Sequence, residues 1–282
     1  MPVDGQLPKY FCDSIIGHYG AKGEAWLSEL PNLLEKIFIE WKLAAAGPCP
    51  KLRFSYVLPV TTEDGHDAVL KLSPHKKDQS RAADFLRACH GSGIVHLLRE
   101  NENEAIHLIE RATPGRQLKE LTLSGHDDEA TRIMGKVLNK IQAPALDSKP
   151  NRLMPLTTIG LGFEKYLRQP FGKIPQEKVE KAQKIFFSLV ESTENSVALH
   201  GDLHHENILS ARRSPWLAID PKGLWGDPYY DVGAWIRNPM PEILSLPKLE
   251  VILSTRIQIL AEALHVPTDR VWAWAYSQAI LA

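Results

Sequence analysis

The periodicity of the apolar residues changes once along this chain, at "ERATPGRQL" (residues 110–118), and that change limits the fold more than any other feature. Ahead of it, "KLRFSYVLPV" and "HDAVLKLS" alternate apolar with polar residues on either side of the turn signal "EDG" and predict a hairpin. "GIVHLLRE" and "AIHLIE", joined by "NENE", predict two further strands. An amphipathic helix from Trp26 to Trp41 precedes them, and a helix from Asp78 to His90, stopped by Gly91 and Gly93, lies within them. Beyond the Pro-Gly pair the spacing turns helical, with helices expected near 127–142, 153–168, 176–193, 241–261 and 268–280. Only two short strands, "NILS" and "WLAID", are expected among them. The reading is α+β and two-lobed: an N-terminal lobe over 1–109 with a small antiparallel sheet, a hinge over 110–115, and a mainly helical lobe over 116–282.

Composition narrows the function. The 282 residues are 44% hydrophobic and 24% charged, with a net charge of -1 and no basic run. Nucleic acid and anionic membrane both require a positive patch, so neither is an expected partner and a small molecule is. No stretch reaches the roughly 18 apolar residues of a membrane span, and no basic start leads into an apolar segment, so the protein is read as cytoplasmic. Cys12, Cys49 and Cys89 are odd in number and widely spaced, and they read as idle thiols in a reducing compartment.

The chemistry concentrates in "LHGDLHHENILSARRSPWLAIDP", residues 199–221. Its histidines raise the possibility of a metal cage. A dinuclear H-x-H-x-D-H site, however, needs a histidine where Asp202 stands, and the chain contains no H-E-x-x-H. A phosphoryl-transfer reading accounts for more positions. His200, Asp202, Leu203 and Asn207 reproduce the H-x-D-L-x-x-x-N spacing of the protein-kinase catalytic loop, and Asp220 follows on the next strand. Phosphoryl transfer depends on positioning and charge neutralisation, which Mg²⁺ provides through hard oxygen ligands. Asn207 and Asp220 are the candidate metal ligands. Asp202 is the candidate base that accepts the proton of an attacking hydroxyl.

Such an apparatus requires a lysine on a strand of the first lobe to reach the α- and β-phosphates, and "AVLK" supplies Lys71. Strand alternation puts Val69 on the same face, against adenine, with Leu70 and Leu72 turned to the core.

The segments "WLSELPNLLEKIFIEWKL", "SYVLPVTTEDGHDAVLKLS", "GSGIVHLLRE", "LIERATPGRQL", "LHGDLHHENIL" and "AIDPKGLWGDPYYDVGAW" together resemble the aminoglycoside phosphotransferases. Within them the chain is most similar to the streptomycin 6-kinase branch, the aminoglycoside/hydroxyurea antibiotic resistance kinases. The resemblance implies a protein-kinase-like fold, ATP and Mg²⁺ as cofactors, and a cationic aminoglycoside as acceptor. It also implies a hinge at "LIERATPG", where main-chain groups of Glu110 and Ala112 receive adenine. Two features depart from the kinase pattern. No G-x-G-x-x-G is present, so "RFSYVLP" is expected to cover the phosphates. The glutamate that pairs with the strand lysine in kinases falls on Ala82, leaving Asp84 and Asp78 as candidate replacements. Asp227 and Asp231 are expected to cap the next helix and brace the catalytic loop, and Trp272, Trp274 and Tyr276 to pack a helix. The rival readings are a kinase of another hydroxylated metabolite, a nucleotide-binding pseudokinase and a histidine-metal hydrolase.

Overall fold

The computed structural model describes residues 7–48, 52–142, 144, 150–169 and 174–282, so Cys49 lies outside the described residues. The chain forms two compact units, Met1–Ala83 with His96–Arg111 and Asp84–Val95 with Ala112–Ala282.

The first unit holds α1 (Lys9–Tyr19), α2 (Ala21–Glu40), β1 (Ala44–Ala45), β2 (Tyr56–Thr61), β3 (Asp67–Leu72), β4 (Leu97–Asn101), β5 (Ile106–Glu110) and the first half of α3 (Lys76–Cys89). The strands form one antiparallel sheet in the order β1-β2-β3-β5-β4. Alternation works as the sequence implies. Tyr56, Leu58, Val60, Ala68, Leu70, Leu72, Ile106 and Leu108 share one face and join Phe11, Ile15, Leu30, Leu34, Ile37 and Trp41 of the helical layer in a single core. Helix α1 was not foreseen, because only Phe11 and Ile15 mark its buried stripe. It turns into α2 at Gly20, whose φ of 58° suits glycine. The two helices then cross at Gly23, where a β-carbon would stand 2.7 Å from the Ile15 carbonyl oxygen.

The second unit continues with β6 (Pro114–Gln117), α4 (Lys119–Leu123), α5 (Asp127–Gln142), β7 (Met154–Pro155), α6 (Leu156–Arg168), α7 (Gln176–Glu191), β8 (Val197–Leu199), β9 (Ile208–Ala211), β10 (Trp216–Ala218), β11 (Leu224–Gly226), α8 (Val232–Ile236), a 3₁₀ turn (Glu242–Ser245), α9 (Leu249–Leu264) and α10 (Thr268–Leu281). The long helices fall close to their expected positions, except that 241–261 divides into the 3₁₀ turn and α9. The expectation of only two strands here is corrected: among the described residues six are present, in two small sheets ordered β10-β9-β6 and β7-β11-β8. The four unforeseen strands are two to four residues long, too short to show a period of two.

Residues 84–95, read from sequence as part of the first lobe, pack in the second unit. Arg213 donates to the Gly91 and Ile94 carbonyls at 2.9 and 2.8 Å, Ser92 Oγ donates to the Lys140 carbonyl at 2.6 Å, and the Ala218 main chain bonds to Gly93 and Val95.

The contrast between two glycines of the helical pair is testable. Gly23→Ala forces backbone against a β-carbon and is expected to cost about 1–3 kcal/mol. Gly17→Ala enters open space in an exposed helix turn and is expected to stabilise by roughly 0.5–1 kcal/mol. Urea unfolding of the two variants beside the parent protein measures both.

Candidate active site

The polar loop runs between β8 and β9, and its shape is set by a buried carboxylate. Asp231, fully buried ahead of α8, accepts the backbone N–H groups of His200 at 2.9 Å and Gly201 at 2.7 Å, one on each oxygen. Burial pushes its pKa up to about 7, although both hydrogen bonds favour the charged form. The expected brace is therefore present. The expected cap is not, since Asp231 makes no side-chain hydrogen bond to the start of α8. Gly201 sits at φ 84°, where an added β-carbon would come within 3 Å of Leu224. Asp227 accepts from the Tyr229 N–H at 2.8 Å and from Thr193 Oγ1 at 3.1 Å, and it pairs with Arg270.

His200 is wholly buried and serves as internal scaffolding. Its Nε2–H donates to the Ile219 carbonyl at 2.8 Å, and its Nδ1 accepts the Asp202 N–H at 3.2 Å, which defines one neutral tautomer. It thereby ties Ile219, the residue before Asp220, to Asp202, two positions on from the histidine. The Lys222 N–H closes the same turn on the His200 carbonyl at 2.7 Å.

Asn207 completes the arrangement. Its Nδ2 donates to the Asp202 carbonyl at 2.9 Å, and its own carbonyl accepts the Ile219 N–H at 2.9 Å. Asp220 adopts φ 59°, which turns the chain sharply after β10. The charges of Asp202 and Asp220 both oppose the lowering of the His200 and His204 pKa values that burial causes. Asp202, 27% exposed, lies 3.6 Å from Lys222 Nζ and 3.9 Å from His204 Nε2. Burial holds the pKa of His204 below the ordinary histidine value. Asp202 and Asn207 thus stand on the loop between β8 and β9, and Asp220 follows β10, the strand paired with β9, one residue after the Ile219 that His200 and Asn207 both bond.

The other histidine of the run is engaged elsewhere. His205 stacks on Trp235 with ring centroids 3.5 Å apart, and its Nε2 lies 3.2 Å from Arg256. Arg256 is wholly buried. It grips Asp127 at 2.9 and 2.6 Å and donates to the carbonyls of Trp235, Ile236 and Asn238. With His200 and His205 committed to backbone, arginine and ring partners, the loop is not built as a histidine cage. Among the described residues no group of three His, Cys, Asp or Glu side chains is placed to hold a metal ion. The remaining donor set, an amide oxygen and a carboxylate, suits Mg²⁺, which takes one or two protein oxygens and completes its shell with phosphate and water. Glu206, also on the loop, is bound by Lys119 at 2.9 Å, and Lys119 reaches Glu242 at 2.6 Å.

Lys71 and Val69 occupy neighbouring outward positions of β3 in the first unit, both half-buried, while Leu70 and Leu72 are in the core. Glu110 ends β5, where its N–H donates to the His96 carbonyl and its carboxylate accepts the His96 N–H. Ala112 lies just ahead of β6. Of the candidate partners for Lys71, Asp78 is paired with Arg81 and His75. Asp84 is held by Arg152 at 3.0 and 2.6 Å and by Arg87 at 2.9 Å, and these contacts depress its pKa against the opposing effect of burial. Burial also pushes the Cys89 thiol up to about 12. Sequence reasoning missed Arg256, although a lone arginine in the apolar run "EVILSTRIQILAEAL" signals a buried partner.

His200 carries a pH signature. Burial lowers its pKa from 6.5 to about 4, so the unfolded chain takes up the proton first, and stability present above pH 6.5 is lost as pH falls towards 4. Between pH 8 and pH 5 this group is expected to remove about 2 kcal/mol. Asp231, shifted the other way, acts in the opposite sense. Urea titrations of the parent and a His200→Gln variant at both pH values isolate the histidine as the difference between the two slopes.

Comparison with known proteins identifies the family. A family model described as aminoglycoside/hydroxyurea antibiotic resistance kinase matches residues 40–282. The streptomycin 6-kinase of Streptomyces glaucescens is 30% identical over 97% of this chain and 88% of its own length. Among solved structures, a choline/ethanolamine kinase family protein from Mesorhizobium loti superposes with a TM-score of 0.59 at 14% identity, covering 91% of this chain and 83% of the other. A thermostable mutant of an aminoglycoside phosphotransferase, in a ternary complex with ADP and hygromycin B, gives 0.54 at 15% identity, covering 88% and 97%. The fold is accordingly the protein-kinase-like one, and among the described residues no helix is long and apolar enough to cross a membrane. By the span of its family match and the identity it shares over nearly its whole length, the chain belongs to the aminoglycoside/hydroxyurea antibiotic resistance kinases, phosphotransferases that act on small molecules.

Proposed function

We propose that the protein transfers the γ-phosphoryl group of ATP, with Mg²⁺, to a hydroxyl of a cationic aminoglycoside, with the 6-hydroxyl of streptomycin as the first acceptor to test. The observation that carries this reading is the hydrogen bonding by which His200 and Asn207 each tie Asp202 to Ile219, the residue before Asp220. The relative of 30% identity named for streptomycin 6-phosphorylation, and the structural neighbour holding ADP with an aminoglycoside, support the choice of donor and acceptor.

Each residue has a physical task. Asp202, partly exposed on a loop fixed from behind by Asp231, accepts hydrogen bonding from the acceptor hydroxyl and takes its proton late in the transfer. Asn207 and Asp220 would hold Mg²⁺, which when bound neutralises charge on the nucleotide phosphates. Lys71 holds the α- and β-phosphates, Val69 lies against adenine, and main-chain groups of Glu110 and Ala112 meet its edge. Lys119 is shared by Glu206 and Glu242, so this cluster keeps a negative balance that favours a cationic acceptor.

Two outcomes follow. With a panel of hydroxylated acceptors that includes streptomycin, Asp202→Ala is expected to lower transfer at least a hundredfold while ATP affinity stays within about threefold. Transfer that survives the substitution removes Asp202 from the mechanism, and ATP-induced thermal stabilisation without product from any acceptor identifies a pseudokinase. Asn207→Ala is expected to raise the Mg²⁺ concentration needed for half-maximal activity by about tenfold, and a Mg²⁺ titration of initial rates reads it directly.

A further inference from the structure

We propose that His107 is the positioning residue for Lys71, taking over on a neighbouring strand the task that kinases give to a helix glutamate, and that Glu100 orients its imidazole from the far side. The inference rests on the reading of Lys71 as the phosphate lysine.

Sheet register carries it. Lys71 of β3 stands directly opposite His107 of β5, and His107 stands directly opposite Glu100 of β4. Paired residues of antiparallel strands project from the same face with β-carbons about 4.5–5.5 Å apart, so the three form one row across the sheet. The opposite face is the core, since Leu70, Leu72, Ile106 and Leu108, the neighbours in sequence, all belong to it. Arg99 confirms the assignment for β4: it pairs with Leu108, and its guanidinium lies over the Trp41 ring, on the helical side of the sheet. A register shift between Leu97 and Arg99 brings Glu100 into line with His107.

Burial and chemistry supply the rest. His107 is 4% exposed, whereas Lys71 and Glu100 are half-buried. A buried imidazole needs partners for both nitrogens, and an ammonium on one side with a carboxylate on the other supplies them. The carboxylate fixes an N–H on the near nitrogen and leaves the far lone pair to accept from Lys71 Nζ. Lys71 and Glu100 lie two strand spacings apart, about 10 Å between backbones, with His107 between them in the row. Meanwhile Ala82 occupies the position of the family glutamate, and the carboxylates of Asp78 and Asp84 are held by arginines.

Calorimetric binding of MgATP and of adenosine to the full chain separates positioning from packing, because only the former involves phosphate. Relative to the parent protein, His107→Ala is expected to weaken ATP about tenfold and adenosine less than twofold. His107→Gln, which keeps a neutral donor and acceptor, is expected to stay within about threefold for ATP, and Glu100→Gln to weaken ATP about three- to fivefold. Lys71→Ala is the reference and is expected to weaken ATP at least tenfold. The inference is overturned if His107→Ala and Glu100→Gln bind ATP like the parent while Lys71→Ala does not, or if His107→Ala loses ATP and adenosine equally. ATP binding untouched by Lys71→Ala overturns the phosphate-lysine reading itself, a separate and recognisable result.

Discussion

Two backbone N–H groups donated to one buried carboxylate hold the site in shape. Asp231 fixes His200 and Gly201, and with them the direction in which the chain leaves β8. An ionised or half-ionised carboxylate in the interior is costly unless its oxygens are bonded, and here each oxygen takes one N–H. The glycine that supplies one of these N–H groups is required by the same geometry, because φ 84° and the nearness of Leu224 exclude a side chain. From this anchor the remaining contacts follow in sequence: His200 bonds to Asp202 and Ile219, Asn207 bonds to Asp202 and Ile219, and Asp220 turns the chain where β10 ends.

A second buried ion, Arg256, supports the loop from below. Its five donors find a bidentate carboxylate, three carbonyls and the His205 ring, so the desolvation of the guanidinium is offset by a complete set of partners. The partners come from α5, α8 and the segment after it, and the polar loop itself. That distribution explains why His205 faces inward although it adjoins His204, which stays beside Asp202. The neighbouring histidines thus have different partners, His205 the Arg256 guanidinium and the Trp235 ring, His204 the Asp202 carboxylate at 3.9 Å.

Much of this was legible because spacing alone carries chemistry. The separation of Asp202 from Asn207, a lysine ending a β-alternating run, and a strand finishing in Ile219-Asp220 define a phosphoryl-transfer pattern before any coordinate is known. The long helices were equally legible, since α5 and α7 each bury a continuous stripe such as Val179, Ala182, Phe186 and Leu189. What escaped was structure whose cause is not local. Strands β7 and β11 contain two and three residues and exist only because β8 and the Gly223 region supply partners. Asp127 reads as one of three acids opening a helix, and only the fold reveals that it is the counter-ion of an arginine 129 positions away. Residues 84–95 read with the strands they adjoin, yet hydrogen bonds from Arg213 and Ala218 claim them for the second unit.

The lysine question shows how a sheet can substitute for a helix. A helix carries one carboxylate towards a strand at a position fixed by its own rotation, so a small residue at that point cannot be repaired by an acid two positions on, which faces about 160–200° away round the axis. Asp84 fits that geometry: it answers to Arg152 and Arg87 in the second unit. A sheet offers a different solution, because cross-strand neighbours are brought side by side by register, and a bulge can adjust which residue arrives. The leftover requirement is only that the row lie on the face away from the core. The packing of Leu70 and Leu108 into that core fixes the face, and Lys71 and His107 are committed to the other side by the period of two.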